Sequence, residues 1–132
     1  MEANPQVGFI DAIKLAFKNY VNFNGRSRRS EYWWFVLFNI IIGIIIIILA
    51  NLITKNLMFL SYIYSLIIFL PGLSLVIRRL HDIGKSGWYI LIVLIIPIVG
   101  VFVLLYFYCL DSENQSNEYG ESPKYGKNTS LV

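Results

Sequence analysis

The sequence predicts an all-α membrane protein: three transmembrane helices preceded by an amphipathic interfacial helix. Composition and one repeated pattern carry that prediction. The 132-residue chain is 57% hydrophobic and 14% charged, whereas a soluble domain is about half apolar and about a quarter charged. Three runs, Tyr32–Thr54, Asn56–Ile77 and Ser86–Leu110, contain no Lys, Arg, Asp, Glu or His. At about 1.5 Å rise per residue, roughly 20 residues cross a hydrocarbon core of about 30 Å. Each run is long enough, and three of them leave too little polar surface for a soluble fold.

The first element precedes these runs. In "NPQVGFIDAIKLAFKNYV", Asn4-Pro5 offers a cap followed by proline at a first helical position. Phe9, Ile13, Ala16, Phe17 and Tyr20 recur at helical spacing, with Asp11, Lys14, Lys18 and Asn22 on the other side. Within residues 1–25 this predicts a helix too short and charged to span, lying in the interface plane. Asn24-Gly25 ends it. Residues 26–110 form the transmembrane domain, with spans at about 32–54, 56–77 and 87–110.

Aromatic residues mark the ends of the spans. Tyr32, Trp33 and Trp34 open the first; Trp88 and Tyr89 open the third, and Tyr106 and Tyr108 close it. Their amphipathic rings prefer the headgroup layer. Pro71-Gly72 predicts a kink in the second span. "PIVG", Pro97–Gly100, is either a kink in the third or the tip of a re-entrant hairpin, which would need other protein to satisfy its backbone. Residues 111–132 are polar and lack an apolar period, so a flexible tail is expected.

Charge sets the orientation. Three spans put the N-terminal segment and the 78–87 loop on one side, with Lys14, Lys18, Arg26, Arg28, Arg29, Arg78, Arg79 and Lys85. Lys55, Lys124 and Lys127 fall on the other. The N-terminus is therefore expected in the cytoplasm, and a re-entrant third segment would bring the C-terminus back there. Basic residues flanking apolar runs are a topology signal rather than a nucleic-acid footprint. One cysteine, Cys109, excludes an internal disulfide. No small-x-small site follows the first long run, so no cleaved secretory leader is expected.

Chemistry would have to come from "RRLHDIGKSGW", residues 78–88, which holds the single histidine. A metal-dependent hydrolase needs more ligands than His81 and Asp82. "GKS" lacks the first glycine of a phosphate-binding loop, since Arg79 stands there. No Ser/His/Asp or Cys/His set can be assembled. The sequence thus predicts no enzyme, no cofactor and no metal. The simpler reading is a helix end. Arg78, Arg79 and His81 complement the helix dipole, and Gly84 supplies a left-handed cap. On the same side, Ser27 or Ser30 can cap the start of the first span, where Glu31 suits the positive end.

Two readings of this face stand side by side. Glu31, His81 and Asp82 can form a structural charge network: Glu31 with Arg78 or Arg79, Asp82 with Arg28 or Arg29. Alternatively Arg26, Arg28, Arg29, Arg78, Arg79 and Lys85 contact anionic lipid or a partner protein.

"FKNYVNFNGRSRRSEYWWF" (17–35) and "LPGLSLVIRRLHDIGKSGWYILIVLIIPIVG" (70–100) together resemble the domain of unknown function 805 family, small bacterial inner-membrane proteins. The resemblance covers about residues 9–126, including "NEYGESPKYG". It implies a multi-pass protein of the bacterial cell membrane and no particular activity. The functional expectation is a non-enzymatic interaction or lipid-contacting scaffold, with the bilayer, a membrane partner or a second copy as its contacts. The alternative is an oligomeric transporter or channel component. Its path could use only Ser61, Tyr62, Tyr64, Ser65, Ser74 and backbone freed by the prolines, because the spans lack ionisable groups.

Overall fold

A computed structural model describes residues 3–126. It is helical throughout, with no strand among the described residues. The first helix, α1 (Phe9–Lys18), starts after Gly8 rather than at Pro5. The reason is that Asn4 and Pro5 are engaged elsewhere: Asn4 N donates to Lys124 O at 2.6 Å, and the Asn4 and Pro5 carbonyls accept from Arg28. Ala12 and Ala16 are fully buried on α1, and small side chains permit close helix approach. Phe9 meets Trp34 edge to face at 5.8 Å, while Asn19 O accepts from Ser74 and the Tyr20 hydroxyl donates to Ile67 O. The amphipathic helix thus packs on the two long helices.

Those are α2 (Arg29–Leu52) and α3 (Phe59–Asp82), joined by a 3₁₀ turn over Lys55–Met58. Both are long and apolar enough to cross a membrane. Only 11% and 17% of their most apolar stretches are buried, so they are not core helices of a soluble fold. Their outward faces carry bulky apolar side chains, Ile40, Ile44 and Ile48 on α2 and Tyr62, Leu66 and Phe69 on α3. Pro71 lies inside α3. Between the helices the Tyr64 hydroxyl donates to Asn39 Oδ1 at 2.7 Å.

α3 ends in a Schellman motif. Lys85 N donates to Leu80 O and Gly84 N to His81 O, at 2.9 and 3.1 Å. Gly84 has φ +69°, a conformation that glycine adopts without a Cβ penalty.

The segment expected as a third span is not one helix. Ser86 caps a 3₁₀ turn over Gly87–Leu91; α4 (Ile92–Ile95) follows, then α5 (Pro97–Cys109). Proline at 97 has no N–H to continue the ladder and steers Ile96 away from helical geometry; Ile96 sits at φ −131°, ψ 82°. α4 then folds against α5 so closely that a Cβ on Gly100 would lie 2.7 Å from Ile92 O. α5 alone is about 20 Å long at 1.5 Å per residue, short of the hydrocarbon core. Both ends of the segment meet the C-terminal end of α3. Gly87 lies against Ile77, and Arg79 donates to the carbonyls of Tyr108 and Leu110. The continuous span over 87–110 is replaced by a broken hairpin.

Residues 111–126 are also not the loose tail expected from their composition. Glu113 N donates to Asp82 O at 3.0 Å, and a tight turn closes between Asn117 and Gly120. Residues 127–132 of that tail lie outside the described residues. The buried apolar cluster, including Tyr32, Phe35, Leu75, Leu80, Leu104 and Tyr108, sits directly beneath this cap.

Candidate functional site: a buried arginine–carboxylate cap

At the joint ends of α2, α3 and α5 the chain buries six charged side chains, Arg26, Arg28, Glu31, Arg78, Arg79 and Asp82. Asp82 is fully enclosed. Its Oδ1 accepts from Arg26 Nε at 3.1 Å; its Oδ2 accepts from Arg79 Nη1 at 2.8 Å and from the Ser112 hydroxyl at 2.6 Å. Arg26 spends its other nitrogens on carbonyls. Nη2 donates to Asp82 O and Glu113 O, and Nη1 to Gln115 O and Gly120 O. One guanidinium therefore stitches the α3 end to the 113–120 segment. A planar fork with five donors suits this task; an ammonium could not span it.

The second pair is Glu31 with Arg78, 3.1 Å apart and about 95% buried. It joins the first turn of α2 to the last turns of α3. Ser27 N adds a bond to Arg78 O at 3.0 Å. This backbone contact fixes the loop, so α2 begins after Arg28 with no side-chain cap, and neither Ser27 nor Ser30 serves as one.

The sequence pairing of Asp82 with Arg28 or Arg29 is corrected. Its partners are Arg26 and Arg79. Arg28 instead holds the N-terminal strap through Asn4 O and Pro5 O, at 3.2 and 2.6 Å. Burial holds the Arg28 guanidinium below its ordinary pKa, partly offset by Asp82 and Asp111. Arg29 is exposed and donates to Cys109 O at 3.1 Å. The lipid-contact reading is also corrected for Arg26, Arg78 and Arg79, which are 9%, 4% and 0% exposed and face carboxylates and carbonyls. Lys85 stands over the rings of Tyr89 and Phe107, 5.8 Å from each centroid.

Among the described residues His81 has no acidic partner. Its Nδ1 lies 3.1 Å from Gly25 O, and its ring stacks flat on Tyr119 with centroids 3.8 Å apart. Asn117 holds the His81 carbonyl at 2.9 Å. Among the described residues no three His, Cys, Asp or Glu side chains form a metal-holding group. The tail residues of this cap, Ser112, Glu113, Gln115, Asn117 and Tyr119, are absent from the sequence reading. Glu113 and Gln115 contribute backbone groups, which any residue type carries, whereas Ser112, Asn117 and Tyr119 contribute side chains far in sequence from those they meet.

A cleft of about 400 Å³ opens beside the cap, lined by Gln6, Arg28, Arg29, Ser30, Asp111, Ser112 and Lys124 on its polar side and by Trp33, Trp34 and Leu37 below. Lys124 and Asp111 form an ion pair across it. The hydroxyls offered by the sequence for a polar path are not gathered into one. Ser61 donates to Met58 O in the preceding turn, Ser65 to Ser61 O within α3, Ser74 to Asn19 O and Pro71 O, and Tyr64 to Asn39.

Two membrane-length helices with a broken hairpin and a buried charged cap define a small helical membrane protein. The chain belongs to a family of proteins of unknown function, DUF805, whose model matches residues 20–121. It is 48% identical over 111 residues to the inner membrane protein YhaI of Escherichia coli K12, covering 84% of this chain and 93% of that one. It is 38% identical over 119 residues to the inner membrane protein YhaH of the same strain, covering 87% and 98%. No solved structure matches the chain.

Proposed function

We propose that this chain is a non-enzymatic scaffold of the bacterial inner membrane that crosses the bilayer twice and keeps its charged cap in the cytoplasmic interface. The carrying observation is the return of the chain to one end. The bond from Glu113 N to Asp82 O joins the exit of the hairpin to the helix end from which it started. A third crossing would separate those groups by the thickness of the membrane. The hairpin is then re-entrant, and its break at Ile96, flanked by the exposed side chains of Leu94, Ile95 and Ile98, calls for other protein to cover it at depth.

Charge favours the same orientation. Arg26, Arg28, Arg29, Arg78, Arg79, Lys85 and Lys124 belong to the cap end, whereas Lys55 is at the α2–α3 turn. An excess of Lys and Arg marks the cytoplasmic side. The inner-membrane names of YhaI and YhaH support the location. A scaffold reading suits a cap whose carboxylates and Arg26 donors are spent on one another and on main-chain carbonyls rather than aimed at a reacting centre.

Single cysteines in a Cys109→Ser background test the topology. Asn24→Cys and Ser116→Cys are expected to label from one side of sealed vesicles and Asn56→Cys from the other; opposite-sided labelling of Asn24→Cys and Ser116→Cys overturns it. Purification of the full chain from native membranes tests the role. A membrane protein or lipid species at a fixed ratio is expected, and a lone chain with bulk lipid composition counts against a scaffold.

A further inference from the structure

The cleft beside the cap is divided by chemistry, and the division points to its occupant. Its upper wall carries three cations, Arg28, Arg29 and Lys124, against one carboxylate, Asp111. The α2 N-terminus opens there without a side-chain cap, leaving first-turn N–H groups that favour an anion. Ser30 lines the same cleft, and its buried hydroxyl has no hydrogen-bond partner among the described residues. The lower wall is Trp33, Trp34 and Leu37, each a little over one-third exposed. From Trp34 an exposed apolar stripe continues down α2 through Leu37, Ile41, Ile44 and Ile48, at the three- and four-residue spacing that keeps one helix face. The volume, about 400 Å³, falls in the range of roughly 300–1,000 Å³ typical of ligand sites.

We propose that this cleft binds the phosphate headgroup of an anionic phospholipid of the cytoplasmic leaflet, with an acyl chain laid along the α2 stripe. A free phosphate would use the upper wall alone. The aromatic floor and its apolar continuation are what single out a lipid. This deepens the scaffold reading and rests on its membrane orientation.

Asp111 gives the site a signature that a structural role would not produce. It neutralises Lys124 inside the cleft. Asp111→Asn releases that cation toward the ligand, while Lys124→Gln leaves a bare carboxylate facing it. The two variants break the same ion pair and should change lipid affinity in opposite directions.

The test uses the purified full chain in neutral detergent, titrated with dioleoylphosphatidylglycerol, dioleoylphosphatidylethanolamine or inorganic phosphate, with bound lipid counted by native mass spectrometry. Phosphatidylglycerol is expected to bind saturably and tightest. Arg29→Gln and Lys124→Gln should each weaken it about five-fold, as expected for one basic residue near a lipid surface, and Asp111→Asn should tighten it. Arg28 is left intact because it anchors the N-terminal strap. Equal binding of the zwitterionic lipid, full competition by inorganic phosphate, or weakening by Asp111→Asn overturns the proposal. With Asn24→Cys and Ser116→Cys labelling together, such a result removes the lipid site alone and leaves the topology standing.

Discussion

Arg26 and Asp82, 56 residues apart in sequence, form an ion pair at 3.1 Å with side chains 1% and 0% exposed. Removing one partner of a buried pair leaves a desolvated charge and costs about 3–5 kcal/mol. Here both Arg26 and Arg79 would lose their carboxylate. Asp82→Ala should therefore collapse expression and lower the melting temperature in detergent severely. His81→Gln sacrifices one stacked ring pair, worth about 0.5–1.5 kcal/mol, and should fold. An Asp82→Ala protein that melts like the parent would sink the structural reading of the cap. A His81→Gln protein that folds normally but loses its cellular phenotype would turn attention to chemistry at that ring.

Two glycines separate backbone strain from crowding. Gly25 has φ +86° with open space where a Cβ would go, while Gly84 has φ +69° and the Glu113 carboxylate in that space. The left-handed region costs a residue with a Cβ about 1–2 kcal/mol. Gly25→Ala should lose about that much, and Gly84→Ala should lose more because Glu113 must also move. Adding Glu113→Ala to Gly84→Ala should recover the excess. Equal melting temperatures for the two single variants would contradict the crowding at Gly84.

The features legible in the sequence were those with local causes. The last turns of α3 were readable because basic residues, an apolar run and Gly84 lie within a few residues of each other. The meeting of Glu31 and Arg78 followed from two helix ends sharing a side. Which arginine turns inward to Asp82 was not readable. The choice of Arg26 depends on the Ser27–Arg78 backbone bond and on carbonyls from residues 113–120, and main-chain groups leave no mark in a sequence. The tail read as loose for the same reason: its polar composition does not reveal that an arginine roughly 90 residues earlier binds its carbonyls. The third apolar run is long enough to span, and neither its length nor Pro97 and Gly100 distinguishes a kinked span from a re-entrant turn.

Docking of the tail should weaken slightly at low pH. The hydrogen bond from Lys124 holds the Asp111 carboxyl below its ordinary pKa, and the same contact raises that of Lys124. A carboxylate with a depressed folded pKa contributes stability that is present above its unfolded value, about 3.9, and lost as pH falls through the folded value. The lysine contribution is present below its unfolded value, about 10.4, and lost as pH rises through the higher folded one. Tail docking should be level from about pH 5 to 9 and weaken below about pH 4. The effect is small because the Asp111 side chain is 48% exposed and such pairs are screened. Hydrogen-exchange protection of the Asn4 amide, which donates to Lys124 O, reports it. Constant protection down to pH 2 would contradict the coupling.

Gly100 decides whether the third segment turns back. A Cβ there would meet backbone on the α4 side, 2.7 Å from Ile92 O and 2.9 Å from Val93 Cα. Backbone cannot rotate away as a side-chain tip can, so the contact must be relieved by separating α4 from α5. Overpacking of this kind costs about 1–3 kcal/mol. Alanine also favours helix over glycine by about 1 kcal/mol, which pulls the other way in α5. The clash should dominate in Gly100→Val, whose branched side chain adds bulk and has little helix preference. Gly100→Val should lower the melting temperature more than Val99→Ala, since Val99 is 54% exposed. Separated hairpin arms should also loosen the Arg79 contacts with Tyr108 O and Leu110 O, making Ser116→Cys more accessible to protease and label on its own side. A Gly100→Val protein with unchanged stability and unchanged tail protection would show that the two arms do not pack as described.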